Sequence, residues 1–426
     1  MEITYKKNSN QWRDELTKTI TFIVTKDCQL ACKYCYLVGK NSKERMSWEV
    51  AKTAVDYILD REDFIEKSVI WDFIGGEPFL EIDLIDKICD YLKKEMFRKK
   101  HHWFNSYRFS FTTNGINYHT EKVQQFIKKN YTHLSIGITI DGTRRKHDLN
   151  RVWKTAESEN GTQASHLLDS ISGASAYHER GSYDDVVKNI PLWLQQFPNA
   201  STKVTISSSD IPYIKESVLH LYSLGIHEVN INCVFEDVWK EGDDKLFEEQ
   251  LMSLADAIID GGYYKDYACS FYSEHLGKPL DKVLQNQNWC GAGRMLSIDA
   301  AGNFYPCTRF AQYSLRSKKA CIIGNIHDGI NKNLLRPFLT LDRCTQSPQE
   351  CVDCEVAEGC AWCQGENYDA ADTNTIYQRS TAICKMHKAR VRANNYYWNK
   401  LYRKLELEGE REEFEKNKKE AKDIIC

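Results

Sequence analysis

Six β-like runs alternating with helix-like stretches between Thr19 and Ile259 predict an α/β fold on a parallel sheet, with a smaller, loop-rich second half. Three observations carry this expectation. Helix-like stretches lie between most of the runs, apolar residues recur at helical spacing after the first, and each of the first four runs ends in a polar or glycine-rich turn.

The first run, Thr19 to Thr25 (TITFIVT), feeds directly into a cysteine-rich loop. Met46, Val50, Ala54 and Ile58 then repeat every four residues in MSWEVAKTAVDYILD, the period of one helix face. Further runs are Ser68 to Ile74, Tyr107 to Thr113, His133 to Ile140, Lys203 to Ser209 and Glu228 to Phe235. The helix-like stretches are Asp83 to Phe97, Thr120 to Lys129, Tyr183 to Gln195, Ile211 to Leu224 and, after the last run, Asp244 to Ile259. Parallel strands need right-handed crossovers, so the pattern predicts an open barrel of six βα units or a doubly wound sheet. Both architectures gather their chemistry at the C-terminal ends of the strands. The residues there are the cysteines after the first run, GGEP (Gly75 to Pro78) after the second, Thr113 to Gly115 after the third, and Asp141 and Gly142 after the fourth.

Composition excludes several classes. With 426 residues, 27% of them charged, and a formal net charge of −3, the chain has room for two or three domains and no basic excess for nucleic acid. MEITYKKNSNQWRDELTKT has no apolar core of signal-peptide length, and no stretch approaches 18 uninterrupted apolar residues. The expectation is a cytoplasmic protein with no membrane partner, in a reducing compartment where sixteen clustered cysteines favour metal sites over disulfides.

Cys28, Cys32 and Cys35 form a Cys-x3-Cys-x2-Cys array. A disulfide framework belongs to small secreted domains without a core, and a chain with 42% hydrophobic residues can bury a large one. Structural zinc closes with four Cys or His ligands, and the nearest histidines in sequence are His101 and His102. An iron–sulfur cluster on three thiolates leaves one iron open for a small molecule, a chemical reason for three ligands.

The cysteine loop, its aromatic Tyr34 and GGEP resemble the radical S-adenosylmethionine (radical SAM) superfamily from about Thr19 to Ile259. The resemblance implies a partial six-unit (β/α) barrel with a 4Fe–4S cluster on Cys28, Cys32 and Cys35. The open iron would chelate the amino and carboxylate groups of SAM, whose reductive cleavage gives a 5′-deoxyadenosyl radical. Gly75, Gly76 and Glu77 would border the SAM amino group, with Glu77 accepting a charge-assisted hydrogen bond. Tyr34, Thr113, Asn114 and Ser207 are further expected contacts, and Arg151, in SIGITIDGTRRKHDLNR with Asp141, would pair with the SAM carboxylate.

The second half, CGAGRMLSIDAAGNFYPC from Cys290 to Cys307, then CVDCEVAEGCAWC with Cys351, Cys354, Cys360 and Cys363, then Cys384, resembles the SPASM extension found largely in peptide- and protein-modifying members. Seven thiolates exceed one tetrahedral zinc. The resemblance implies two auxiliary 4Fe–4S clusters, three in all, with Cys351, Cys354, Cys360 and Cys384 closing one and Cys290, Cys307 and Cys363 holding the nearer. Cys360 and Cys363 are separated by two residues where the usual pattern has three. A pair of zinc-ribbon-like sites is the competing reading. Cys269, Cys321 and Cys344 flank the arrays as possible fourth ligands of the nearer cluster, Cys89 and Cys233 read as core residues, and Cys426 as a tail residue.

The expected division is a barrel over 1–265, a SPASM domain over 266–390 and a charged helix or tail over 391–426. Sulfatase-maturing relatives carry an aspartate base directly after the cysteine of the Gly-x4-Cys element, whereas Gly302 to Cys307 is followed here by Thr308, which cannot take a proton at neutral pH. The expectation is therefore a maturase of a ribosomally made, Cys-containing peptide, forming thioether crosslinks and reduced by a donor such as flavodoxin or ferredoxin. Formylglycine formation, carbon–carbon crosslinking and a non-catalytic electron carrier are the alternatives. A peptide leader would be bound by the polar insert Lys154 to Ser182 or by the stretch from Lys385, since only 27 residues precede Cys28. The aromatic patch Tyr396, Tyr397 and Trp398 in that stretch reads first as a face packed on the barrel.

Overall fold

The computed structural model describes residues 17–40, 42–155, 180–282, 288 and 290–425, so positions 156–179 of the polar insert and Cys426 lie outside the described residues. Six strands follow the expected order: β1 (Thr17–Thr25), β2 (Ser68–Gly75), β3 (Tyr107–Thr113), β4 (Leu134–Ile138), β5 (Thr202–Ile206) and β6 (Glu228–Cys233). β1 to β4 pair in parallel, as do β5 and β6, which continue to a short β7 (Ala268–Cys269). Between β4 and β5 the ladder breaks. The Thr202 hydroxyl fills the gap, donating to the Ile138 carbonyl at 2.7 Å and accepting from the Ile140 amide at 3.2 Å.

Alternation within the strands builds a two-faced wall. Ile20, Phe22, Val24, Val69, Trp71, Phe73, Phe109, Phe111, Val204 and Ile231 are buried under the helices. The helix Trp48–Leu59 starts at Ser47, whose side chain accepts from the Val50 amide at 3.2 Å, and buries Ala51, Ala54, Val55, Ile58 and Leu59. Its core face is thus rotated from the one read in the sequence: Met46 precedes the helix and Val50 sits at its margin.

Other departures have local causes. The stretch Tyr183 to Gln195 is two helices, Tyr183–Val187 and Ile190–Gln196, because Pro191 supplies no amide to continue the first and starts the second. Ile211 to Leu224 opens as a 3-10 turn, Ser208–Tyr213, around Pro212 before the helix Ile214–Ser223. β5 ends at Ile206, so Ser207 caps that turn and is not part of the strand.

The second half extends the first sheet. β8 (Leu296–Ile298) pairs in parallel with the free edge of β1, and β9 (Asn303–Tyr305), β10 (Gly324–Asn325) and β11 (Gly329–Ile330) add antiparallel strands. Asp299 shapes the β8–β9 turn by accepting from the Ala301 and Asn303 amides, each at 2.9 Å. Gly302 has φ +78°, and a Cβ there would meet Ile326 at 2.7 Å, so glycine sets the turn that delivers Cys307.

The helix Cys384–Glu408 begins at a cysteine of the second array, runs through residue 390 and packs on the barrel helix Asp243–Asp260. Tyr397 stacks on Tyr272 at 4.3 Å and the Tyr396 hydroxyl donates to Asp256 at 2.7 Å, which places the aromatic patch against the barrel. Among the described residues no helix is long and apolar enough to cross a membrane.

Candidate functional site

The β1 and β2 strand ends lie unusually close. The Gly76 amide donates to the Thr25 carbonyl at 3.0 Å and the Glu77 amide to the Asp27 carbonyl at 2.9 Å. A Cβ on Gly75 would stand 2.0 Å from the Thr25 oxygen, and one on Gly76 2.1 Å from the Asp27 oxygen, so only glycine admits this approach. The loop it supports is also held by the segment after β4, through Ala31 to Val152 at 2.9 Å and Lys33 to Asn150 at 3.0 Å.

Cys28 and Cys32 are buried in this loop and Cys35 is half-buried. Burial pushes the Cys28 thiol up to about 12, against the opposing pull of Lys40. Lys40 is itself buried; that burial disfavours its charge, but Cys35, Cys32 and Cys28 outweigh it and hold the ammonium above the usual lysine range. No sequence pattern marked this cation.

Glu77 is 1% exposed and ties three strand ends together. Its carboxylate accepts from the Asn114 amide at 2.7 Å, the Thr113 hydroxyl at 2.7 Å and the Phe79 amide at 3.1 Å. A carboxylate offers about four lone-pair sites, which leaves one for a ligand donor. The Asn114 side chain reaches back to Gln29 of the cysteine loop at 3.0 Å.

Opposite, the Tyr34 hydroxyl donates to Asp141 at 2.5 Å and accepts from Arg151 Nη1 at 3.1 Å. Asp141 is fully buried; burial raises its carboxyl, but Lys146, Arg151 and His147 hold it below the ordinary range. Lys146, also fully buried, lies 3.7 Å from Asp141 and 3.6 Å from Asp210 and donates to the Thr205 carbonyl at 2.9 Å. Ser207 joins only through this network, since its hydroxyl donates to Asp210 at 2.6 Å. Arg151 Nε is buried with no acceptor, an unfilled donor that fits a carboxylate ligand.

The inner strand face is polar. It encloses a cavity of about 550 Å³ whose lining includes Ser110, Thr112, Ser135, Lys203, Asn230 and Asn232. Asp72 shares this face, accepting from Thr21 at 3.3 Å, and burial raises its carboxyl to about 6 despite hydrogen bonds from Ser110 and Thr21 and the nearby Lys203. The folded chain therefore keeps this proton up to about pH 6 while the unfolded chain sheds it near pH 4. Its contribution to stability is present below pH 4 and lost as pH rises to about 6. Asp72→Asn is expected to stabilise the fold above pH 6 by up to about 3 kcal/mol, with the gain shrinking toward pH 4. Denaturant unfolding of both proteins between pH 5 and 8 measures the convergence.

In the second half, Cys290 and Cys363 hydrogen-bond each other, with Cys307 beside them; the shared proton raises Cys290 and lowers Cys363 to about 6. Cys351, Cys354, Cys360 and Cys384 form a separate neighbourhood. None of the three flanking cysteines joins the Cys290 group: Cys321 bonds the Tyr368 hydroxyl, Cys269 lies by Arg390, and Cys344 by Asp342 and Arg343. Among the described residues no three His, Cys, Asp or Glu side chains gather tightly enough to hold a single metal ion. Between the two cysteine regions Arg309 lies over the Tyr36 ring at 4.2 Å and donates to Glu236 at 2.8 Å. The Thr308 hydroxyl is engaged with Ser297 at 3.2 Å.

These strand ends define a partial α/β barrel with a three-cysteine loop at its mouth and an additional C-terminal region and helix. Residues 22–165 match the radical SAM superfamily, and the fold matches that of SPASM-type maturases. The solved structure of anSMEcpe with bound AdoMet and peptide covers 91% of this chain and 98% of its own, at 17% identity and a TM-score of 0.62. Streptococcus suis SuiB bound to precursor peptide SuiA covers 86% of this chain and 76% of its own, at 13% identity and a TM-score of 0.55. In sequence, the chain is 28% identical over 399 residues to the radical SAM cyclopropyl synthase TigE of Paramaledivibacter caminithermalis, spanning 89% of this chain and 74% of TigE. It is 20% identical over 363 residues to a serine-type anaerobic sulfatase-maturating enzyme of Bacteroides thetaiotaomicron, spanning 78% of each.

Proposed function

We propose that this enzyme is a peptide maturase that removes two hydrogens from a ribosomally made, Cys-containing peptide and joins a cysteine sulfur to carbon. Cys28, Cys32 and Cys35 would hold a 4Fe–4S cluster with one open iron, and Gly75, Gly76, Glu77, Thr113, Asn114, Tyr34, Arg151 and Ser207 would surround SAM. That cluster, when bound, supplies the electron that cleaves SAM. The chain's residues do the positioning: Arg151 Nε offers its unfilled donor to the SAM carboxylate, Glu77 its remaining lone pair to the amino group, and Lys40 balances the thiolate charge. In the proposed division the barrel spans 1–265, the auxiliary-cluster domain 266–390 and the C-terminal helix 391–426, with a flavodoxin- or ferredoxin-like donor as reductant.

The observation that carries the thioether reading is the Cys290, Cys307 and Cys363 set, which no other described cysteine joins, beside Thr308 with its hydroxyl already engaged. A cluster on three thiolates keeps an iron for a substrate thiolate, and serine cannot replace so soft a ligand. Carbon–carbon bond formation is the second reading, favoured by the similarity to a cyclopropyl synthase.

Mass spectrometry of turnover mixtures with a Cys-containing precursor separates them. Loss of two hydrogens with one fewer alkylatable thiol, absent in the Ser version of the peptide, is the expected result. Loss of two hydrogens with every thiol still alkylatable would establish carbon–carbon chemistry, and a Ser peptide converted to an aldehyde would establish formylglycine formation.

A further inference from the structure

Two guanidiniums are buried beside the second cysteine set without counter-ions. Arg343 is 4% exposed and Arg379 9%, and among the described residues neither lies within salt-bridge distance of a carboxylate. Arg379 Nη2 donates to Cys360 Sγ at 3.3 Å and to the Ala361 carbonyl at 3.3 Å, and Nη1 to Ser347 at 3.1 Å. Arg343 Nη2 donates to the Ala357 carbonyl at 3.2 Å, while its Nε is buried with no acceptor.

An arginine cannot shed its proton to escape burial, and a buried charge needs a partner of opposite sign. Here the two cations also face each other, and burial together with Arg379 pulls Arg343 below its usual range. The surrounding titratable groups supply little compensation. His387 is 6% exposed, and burial holds it at about 4, so it stays neutral and bonds the Val356 carbonyl at 2.6 Å; Glu350, beside Cys351, is exposed. What remains is thiols: Cys360, Cys351 and Cys354 around Arg343, and Cys360 and Cys351 around Arg379, with Cys384 beside Cys360 and Cys351.

We propose that Arg343 and Arg379 are the counter-charges of an iron–sulfur cluster on Cys351, Cys354, Cys360 and Cys384, and that they raise its reduction potential so that it serves as an electron-accepting end of the protein. The proposal rests on the cluster assignment made above. A thiolate-bound cluster is anionic and gains one negative charge on reduction, so fixed positive charge and a hydrogen bond to a ligand sulfur both favour the reduced form. Arg379 supplies both, and Arg343 supplies charge.

The test is an EPR-monitored redox titration of the reconstituted full-length chain alongside Arg379→Gln and Arg379→Lys. In Arg379→Gln with unchanged iron and sulfide, one reduction step is expected to move to more negative potential by at least about tenfold in its equilibrium constant, about 59 mV for one electron, while the others stay. Arg379→Lys, which keeps the charge, should move that step less. Unmoved steps at full iron content overturn the proposal, as does an equal shift in both variants. Should Arg379→Gln lose one cluster's iron, its return in Arg379→Lys supports charge compensation and its loss in both overturns it. Zinc in place of iron at this site in the parent protein would instead defeat the cluster assignment.

Discussion

Cys32→Ala is expected to reduce 5′-deoxyadenosine formation from SAM and dithionite to background while both auxiliary clusters remain. Cys32 is buried in the loop between β1 and β2, backed by Lys40 and by Arg151, whose guanidinium faces it. Removing its thiolate would leave two protein ligands for the proposed cluster, one iron of which would bind SAM, so neither cluster nor SAM would be held productively. The second-half cysteines occupy separate neighbourhoods and should keep their iron. Anaerobic analysis should show iron and sulfide falling from about twelve to about eight per chain. Retained SAM cleavage would remove the assignment of this loop, and about four of each in the parent protein would remove the auxiliary clusters.

Gly76→Ala is expected to be nearly as severe although it removes no cysteine. The new Cβ would stand 2.1 Å from the Asp27 oxygen, 2.5 Å from its carbonyl carbon and 2.9 Å from the Cys28 Cβ. Two of these atoms are backbone and cannot swing away, so the cysteine loop must move off β2. A cost above about 4 kcal/mol, with loss of the first cluster, is expected from such strain. Gly137→Ala is the control, because its Cβ would meet its nearest atom, the Ser201 oxygen, at an ordinary 3.4 Å. Thermal unfolding and iron content of the two variants should separate by that margin. Similar behaviour would show that GGEP tolerates a side chain and that its glycines are not steric requirements.

The barrel strands were legible because their residues alternate between a buried apolar face and a polar inner one, and the strand-end turns lay where the parallel topology needs them. The position of the first cysteine loop, directly after the first strand, was legible too. What escaped the sequence carries little periodicity. The helix Arg144–Asn150 buries Lys146, His147 and Asn150, so a search for apolar spacing passes over it although it supports Tyr34 and Arg151. β8 to β11 are two or three residues each, too short to show alternation. Lys40, Arg343 and Arg379 are polar residues whose burial follows from distant cysteines, and no local pattern announces it.

The pairing of β8 with β1 shapes how this chain can be made. Ile20 finds its partner, Leu296, 276 residues later, so a growing polypeptide holds the first strand with one edge bare while the remaining barrel strands are laid down. At about 5–20 residues per second that interval lasts roughly 14–55 seconds. An unpaired strand edge invites pairing with another nascent chain for the whole of it. Mistakes in production should therefore fall on the β1 edge, and a fragment ending before β8 should collect in the insoluble fraction even though every strand of the six-unit wall is present in it.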